Sequence, residues 1–276
     1  MSMNATTGDH LSAAKQTLGV ALITRDAQQH LAACLHAVQF ADDIVVLDSG
    51  SQDRTCEIAQ AAGARLVVDT DWQGFGIQKN RAIALLKTDW ILLIDADEVV
   101  SPQLANAIQS VVGSPSRETY SLDRLSCFCG KWIRHSGWRP DRVARLFRQG
   151  SAHFSDDRVH ERLLVDGPVT ALEGVLLHYS YDDISAVLRK LDSYSAAGAR
   201  QRFERGNSAG FGKAVSRALW AFLRTYLLKR GFLDGQAGFM IATLNAQTVY
   251  YRFLRLAELH KDSMGGNRKP GEHLER

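Results

Sequence analysis

No stretch of this 276-residue chain is apolar for long enough to cross a bilayer. The first thirty residues also lack the basic-then-apolar plan of a signal peptide. Cysteine is scarce: Cys34, Cys56, Cys127 and Cys129 show no C-x-x-C spacing. Cys127 and Cys129, two apart, are expected on one face of a strand; that pair could ligate a metal only with further partners, and the cysteines read as free thiols in a reducing compartment. No G-x-G-x-x-G follows the first apolar run, which argues against a classical dinucleotide fold. No G-x-x-x-x-G-K-[ST] occurs, so a P-loop is excluded. There is no internal repeat.

What is present is an ordinary globular composition, 45% hydrophobic and 23% charged, in a chain able to bury one large core or two modest ones. The net charge of +3 conceals an asymmetry. Residues 200–276 carry about +8 and the first 199 about −5. A basic C-terminal segment implies an anionic partner: phospholipid, a phosphorylated glycan or nucleic acid. Nucleic acid is disfavoured because no nucleic-acid motif accompanies the charge.

The pattern turns on Trp90-Ile91-Leu92-Leu93-Ile94-Asp95-Ala96-Asp97-Glu98. Its apolar run suits a strand buried on both faces and is too short for a typical helix. Carboxylates at i and i+2 leaving a strand project together, so Asp95 and Asp97 are expected side by side at the C-terminal edge of a sheet, where open α/β folds bind ligands. Such hard oxygen ligands suit Mg²⁺ or Mn²⁺ shared with a substrate diphosphate. In isolation the same residues fit a solvated acidic turn; their neighbours favour the ligand reading.

Residues 18–112 alternate strand and helix. Strands are expected at 18–24, 43–48 and 65–69, with helices from Leu31, from Cys56 to Ala62, from Ile77 to Leu86 and after Ser101-Pro102. Asp26, Asp53 and Thr55 are candidate N-caps. Short connections between these elements predict a parallel sheet with right-handed crossovers.

Strands are again expected at 120–122 and 142–147. Between them Trp132, His135, Trp138 and Arg139 mix flat apolar faces with donors. That mixture fits an exposed sugar-binding wall or, equally, two core tryptophans beside a basic loop. Residues 183–260 read as helical. From Lys213 to Arg230, Val215, Ala218, Leu219, Phe222, Leu223, Tyr226 and Leu227 follow i, i+3, i+4 spacing, flanked by Lys213, Arg217, Arg224, Lys229 and Arg230. This is the pattern of a basic amphipathic helix at a membrane interface. A helical pair packed on the catalytic body fits the same pattern. Residues 1–16 and 261–276 are expected to be a disordered leader and tail.

Together, Ile23-Thr24-Arg25, Val46-Leu47-Asp48-Ser49-Gly50-Ser51-Gln52-Asp53-Arg54-Thr55, Gly74-Phe75-Gly76-Ile77-Gln78-Lys79-Asn80-Arg81-Ala82 and Asp95-Ala96-Asp97-Glu98 resemble the family 2 glycosyltransferases of the GT-A fold. Gly130-Lys131-Trp132-Ile133, Gly137-Trp138-Arg139-Pro140-Asp141, Arg145-Leu146-Phe147, Val159-His160-Glu161 and Gly231-Phe232-Leu233-Asp234-Gly235 are similar to the bacterial lipopolysaccharide core β-glucosyltransferase branch.

The resemblance implies a GT-A catalytic domain at 17–182, with a nucleotide-binding half (17–112) and an acceptor half (113–182), followed by a helical docking region at 183–260. It implies an inverting, metal-dependent transfer of a hexose from a UDP-sugar, expected to be UDP-glucose. The acceptor would be a heptose of a lipid-linked, phosphorylated inner core, reached from the cytoplasmic face of the inner membrane; the alternatives are the same fold acting on a capsule or polyprenyl-linked glycan, or a degenerate member that binds a glycan without turnover. Thr24 and Arg25 would line the base pocket and Asp48 would contact the uracil. Lys79 and Arg81 would lie beside the nucleotide, and Asp95 would touch the ribose. Asp97 would bind Mn²⁺ or Mg²⁺. His178, ending the apolar run Val175–Leu177, is placed to reach the metal or diphosphate as a second protein ligand, and a structural role fits a lone histidine after a strand equally well. Inversion by single displacement needs one general base and no enzyme nucleophile. Glu161 is the first candidate and Asp157 the second, while Trp132, His135, Trp138 and Arg139 would hold the acceptor.

Overall fold

The computed structural model describes residues 15–113, 119–155 and 162–264. The chain forms two compact units. The first contains the residues through Asp123 together with Arg142–Leu176; the second contains Arg124–Asp141 and everything from Leu177 onward. The sequence placed the break near 182. The structure instead groups 124–141 and 177–182 with the helices.

The first unit opens as β1 (Leu18–Thr24), α1 (Leu31–Ala37), β2 (Asp43–Asp48), α2 (Thr55–Ala61), β3 (Arg65–Val68), α3 (Phe75–Ala84), β4 (Trp90–Leu93), β5 (Glu98–Val100) and α4 (Pro102–Val112). It continues as β6 (Thr119–Phe128), β7 (Lys131–Trp132), β8 (Arg142–Arg148), β9 (Ala152–Phe154), β10 (Leu163–Val165) and β11 (Val169–Tyr181). Of these, β7 and the last residues of β6 and β11 belong to the second unit.

The main sheet has the order β3-β2-β1-β4-β8-β6-β11-β5. β1 is parallel to both β2 and β4, and β3 is parallel to β2. β8 is antiparallel to β4 and to β6, so the sheet is parallel on one side and mixed on the other.

Alternation along β1 and β4 explains why the sheet is covered twice. Leu18, Val20, Leu22, Trp90, Leu92 and Ile94 point to a core shared with Leu31 and Leu35 of α1 and Leu104 and Ile108 of α4. Ala21, Ile91 and Leu93 point the other way, to Ala82 and Ile83 of α3 and Phe147 of β8. Each fully buried Leu or Ile in these layers contributes about 1.5–3 kcal/mol. Ser101 caps α4, accepting the Leu104 N–H at 3.3 Å, with Pro102 at the first helical position as the sequence predicts. Asp26 and Thr55 cap no helix. Asp26 instead accepts the Gln52 N–H at 2.8 Å, and α1 and α2 start from His30 and Arg54 without a side-chain cap. Gln16, assigned to the leader from the sequence, accepts the indole N–H of Trp90 at 2.9 Å.

The second unit carries α5 (Ile184–Glu204), α6 (Phe211–Leu223) and α7 (Gln236–Met264), the last running past the expected start of the tail. Between α6 and α7 lie a π-helical turn, Arg224–Leu228, and a 3-10 turn, Gly231–Asp234. The buried Asp234 carboxylate accepts the N–H of Arg134 at 3.0 Å, the N–H of His135 at 3.1 Å and the Ser136 hydroxyl at 2.7 Å. The basic amphipathic helix expected over 213–230 runs from Phe211 to Leu228 with its last five residues in π-helical geometry, and its apolar stripe is divided. Phe222 and Tyr226 pack edge-on against Phe239 of α7, whereas Leu219, Leu227 and Leu228 are exposed. No helix among the described residues is long and apolar enough to cross a membrane.

Gly174 of β11 has φ +98°, and a Cβ there would lie 2.5 Å from the backbone N of Leu104 at the start of α4. Backbone cannot rotate out of the way as a side chain can. Gly174→Ala should therefore destabilise the protein by about 1–3 kcal/mol, measured as a lower urea midpoint at unchanged m-value.

Candidate active site

β4 ends at Leu93, and its chain turns through Ala96 and Asp97 before β5 begins at Glu98. The turn is closed from both sides. The Glu98 N–H donates to the Asp95 carbonyl at 3.0 Å, and the Asp95 N–H donates to Glu98 Oε2 at 2.9 Å. Strand alternation therefore does not extend to the acidic pair, and Asp95 and Asp97 have different environments. Asp95 lies between two cations: Lys79 Nζ is 3.2 Å from Oδ1 and Arg145 Nη2 is 2.6 Å from Oδ2. Arg145 also reaches Glu98 Oε1 at 3.4 Å. Glu98 is fully buried and Arg145 is 6% exposed. Burial alone would raise the Asp95 pKa. The Arg145 guanidinium and then the Lys79 ammonium outweigh it and hold the carboxyl well below the usual range. Asp97 is half-buried in the turn.

Lys79 is delivered by four consecutive residues of α3 that point to four neighbours. Gln78 donates to the Ser49 hydroxyl at 3.3 Å and to the Asp69 carbonyl at 3.2 Å. Lys79 meets Asp95, and Asn80 exchanges two hydrogen bonds with the Phe154 backbone at 2.8 and 2.9 Å. Arg81 Nη1 pairs with Asp69 and Nη2 with Asp71, each at 2.9 Å. A helix turns by about 100° per residue, which is why adjacent residues can serve separate elements.

At the end of β2, Asp48 is fully buried. Its Oδ1 accepts the Thr24 hydroxyl at 2.9 Å and the Ser51 hydroxyl, and its Oδ2 accepts the N–H groups of Gly50 and Ser51 at 2.9 and 2.8 Å. Burial pushes its pKa up, but the hydrogen bonds from Ser51, Thr24 and Gly50 prevail and lower it. Four donors match the roughly four acceptor sites of a carboxylate. Asp48 thus holds the Ser49–Ser51 turn, which lies with Thr24 and the exposed Arg25 at the sheet edge.

The site sits where the chain order reverses. It moves outward from β1 through β2 to β3, then returns by α3 to β4 on the other side of β1. Open α/β sheets bind ligands beyond the C-terminal ends of the strands at this point. Residues 20–162 match glycosyl transferase family 2. The chain belongs to this family. An uncharacterized glycosyltransferase of Rickettsia typhi is 27% identical over 256 residues, 88% of this chain and 86% of its own length. The lipopolysaccharide core biosynthesis glycosyltransferase LpsC of Rhizobium meliloti is 28% identical over 259 residues, 86% of this chain and 93% of its own. Among solved structures, the glucosyl-3-phosphoglycerate synthase of Mycobacterium tuberculosis with Mn²⁺, UDP and glucosyl-3-phosphoglycerate is similar over 41% of this chain and 44% of its own, at 22% identity and a TM-score of 0.35.

In this family 2 glycosyltransferase, with its α/β GT-A fold, the remaining expected site residues are distributed unevenly. Asp157 and Glu161 lie outside the described residues, as does His160. Arg81, expected beside a nucleotide, secures the 69–71 loop through its two carboxylate partners. His178 belongs to the second unit, where its Nδ1 is 3.1 Å from the Ser126 hydroxyl and 2.9 Å from that of Ser180. It lines a cavity of about 430 Å³ with Trp138, Arg124, Asp141, Lys190 and Tyr194. Trp132, His135 and Arg139 do not line that cavity. Both tryptophans are half-buried rather than exposed, Trp138 edge-on to Phe128 and Trp132 edge-on to Tyr179. No group of three or more His, Cys, Asp or Glu arranged for a metal occurs among the described residues.

The cysteines carry no site. All four are free, and Cys129 leaves the strand with φ +47°, so it does not share a face with Cys127. Burial, then the charges of Glu98, Asp97 and Asp95, push the Cys34 thiol well up.

Sequence reasoning missed Arg145, Gln78 and Asn80 as positioning residues. The signal for Arg145 was available: a lone cation inside the apolar run Val143–Phe147 needs a buried partner.

Asp95 has a native pKa below the ordinary value of about 3.9, so its stabilising contribution is complete above that pH and is lost as pH falls through the depressed value. Its side chain is still 30% exposed, which places the cost of Asp95→Asn at pH 7 near the low end for a broken buried pair, about 3 kcal/mol. The difference from wild type should shrink below about pH 4. Urea unfolding of both proteins at pH 7 and pH 3.5 measures this; an equal gap at the two pH values would show that the ionised carboxylate is not its source.

Proposed function

We propose that this glycosyltransferase moves a hexose from a UDP-sugar, by inversion and with a divalent metal, onto a heptose of a lipid-linked phosphorylated core glycan. The observation that carries the reading is the unequal acidic pair after β4. One carboxylate is neutralised by Lys79 and Arg145, and the next, Asp97, sits in the turn at the switch point of the sheet. The name of the Rhizobium meliloti relative supports the acceptor class.

In this reading the turn held by Asp48, with Thr24 and Arg25, receives the nucleoside, and Asp95 faces the ribose from its cationic clamp. Asp97 would hold Mn²⁺ or Mg²⁺. A single carboxylate suits a cation that keeps several waters and shares its shell with substrate phosphates. Bound there, the metal offsets the charge that builds on the departing diphosphate. Glu161, or else Asp157, takes the proton of the acceptor hydroxyl as its oxygen bonds to the anomeric carbon. The bond from that carbon to UDP breaks, and UDP leaves with the electron pair. The half-buried Trp138 and the polar groups of its cavity offer a stacking face and donors for an acceptor sugar. The exposed apolar and basic side chains of α6 and the turns after it are read as a reversible membrane contact, placing the enzyme at the inner face of the inner membrane.

Calorimetric titration with UDP, and with GDP as control, tests the donor and the metal together. Wild type should bind UDP in a Mn²⁺-dependent manner and GDP weakly. Asp97→Ala should lose the metal dependence and, in transfer assays with UDP-glucose, fall on the order of 100-fold or more. Metal-independent UDP binding, equal in wild type and variant, would remove Asp97 from the metal site.

A further inference from the structure

The π-helical turn after α6 builds a small cavity that the transfer reaction does not use. In an α-helix the residue one turn beyond Arg224 is Leu228. Here the Lys229 N–H closes onto the Arg224 carbonyl at 2.9 Å, an i to i+5 bond that brings Arg224 and Lys229 one wide turn apart. Both line a cavity of about 190 Å³ together with Thr225, Asn245, Thr248 and Arg252. No carboxylate lines it. Arg255, one turn along α7, is by contrast paired with Asp192.

Two features bear on the cationic walls of the cavity. Lys229 lies across Gly137, where a Cβ would fall 2.3 Å from its Cδ and 2.4 Å from its Nζ, so the missing side chain at 137 makes room for the lysine. Arg252 has its Nε buried with no hydrogen-bond partner among the described residues. Burial, and then the nearby Arg202 charge, lower the Arg252 pKa, so its surroundings as they stand disfavour the cation. That Nε faces Gly198 of α5, where a Cβ would fall 2.5 Å from it, so what Arg252 brings to the cavity is its charge, and an anion there would offset the repulsion.

α6 and the π-helical turn that line the cavity, with the 3-10 turn that follows, also expose large apolar side chains: Leu219, Trp220, Leu227, Leu228, Phe232 and Leu233. A soluble phosphate needs no such border. A phosphodiester at a bilayer surface has acyl chains beside it, and these side chains match them.

We propose that this cavity seats the headgroup phosphate of an anionic phospholipid, with Arg224, Lys229 and Arg252 as its cationic walls and the flanking apolar residues in the acyl boundary. The proposal rests on the membrane-contact part of the function proposed above and gives it a specific seat.

The test is co-sedimentation of the full chain with phosphatidylglycerol/phosphatidylcholine vesicles and with phosphatidylcholine alone. Wild type should bind the mixed vesicles, and Arg224→Gln/Lys229→Gln should bind at least tenfold more weakly. Arg217→Gln/Arg230→Gln removes the same charge from neighbouring surface outside the cavity and should lose much less. Arg252→Gln should behave like the cavity double variant, and where it unfolds the exposed Arg224/Lys229 pair still decides. UDP binding should be unchanged in the double variants. Equal losses in the two double variants would overturn the seat and leave a diffuse membrane contact standing. Failure of wild type to bind the mixed vesicles would overturn both. Saturation of the cavity by inorganic phosphate in solution, with vesicle binding no weaker in the cavity variant than in the control, would assign it to soluble phosphate and overturn the lipid proposal.

Discussion

The catalytic unit depends on one carboxylate held between two cations. Asp95 ends the central strand run, and the groups that neutralise it come from α3 and from β8. A buried guanidinium such as Arg145 is costly alone and tolerable only with partners, so β8 must pair beside β4 for the charge to be met. Lys79 imposes the matching requirement on α3, which Gln78, Asn80 and Arg81 secure at three other points. The parallel half of the sheet and its antiparallel extension are thereby joined at the place where the acidic turn emerges. The clamp also fixes where the acidic turn leaves the sheet, because Asp95 is its first carboxylate.

In the second unit the organising carboxylate is Asp234, which gathers the N–H groups of residues 134 and 135 and the Ser136 hydroxyl. Its 3-10 turn follows a π-helical turn, so the chain between α6 and α7 is nowhere regular α-helix. That irregularity decides which apolar residues are covered. Phe222 and Tyr226 meet Phe239, and the leucines displaced from that face remain in solvent beside Arg224 and Lys229. The expected membrane face and the expected helix-packing face are thus two parts of one sequence stripe.

Much of the first unit was legible from the chain. The apolar runs at 18–24, 43–48 and 90–94 became strands at nearly those limits, and Ser101-Pro102 starts a helix. The acidic turn was located correctly, but its internal geometry was not, since alternation was carried past Leu93 into a turn. The second unit was less legible. A break at 182 looked natural where the composition changes, yet residues 124–141 fold with the helices because Asp234 lies about a hundred residues further along the chain.

The sequence by itself determined the family, the order of strands and helices and the position of the acidic turn, because these follow from local periodicity and from short motifs whose residues are neighbours in the chain. Only the tertiary structure decided that Asp48 holds a turn, that Asp95 lies between Lys79 and Arg145, and that Arg224, Lys229 and Arg252 share a cavity. Each of those outcomes is set by a charge or hydrogen bond whose partner comes from another element, and the strength of such an interaction depends on distance and burial in space, which spacing along a chain does not encode.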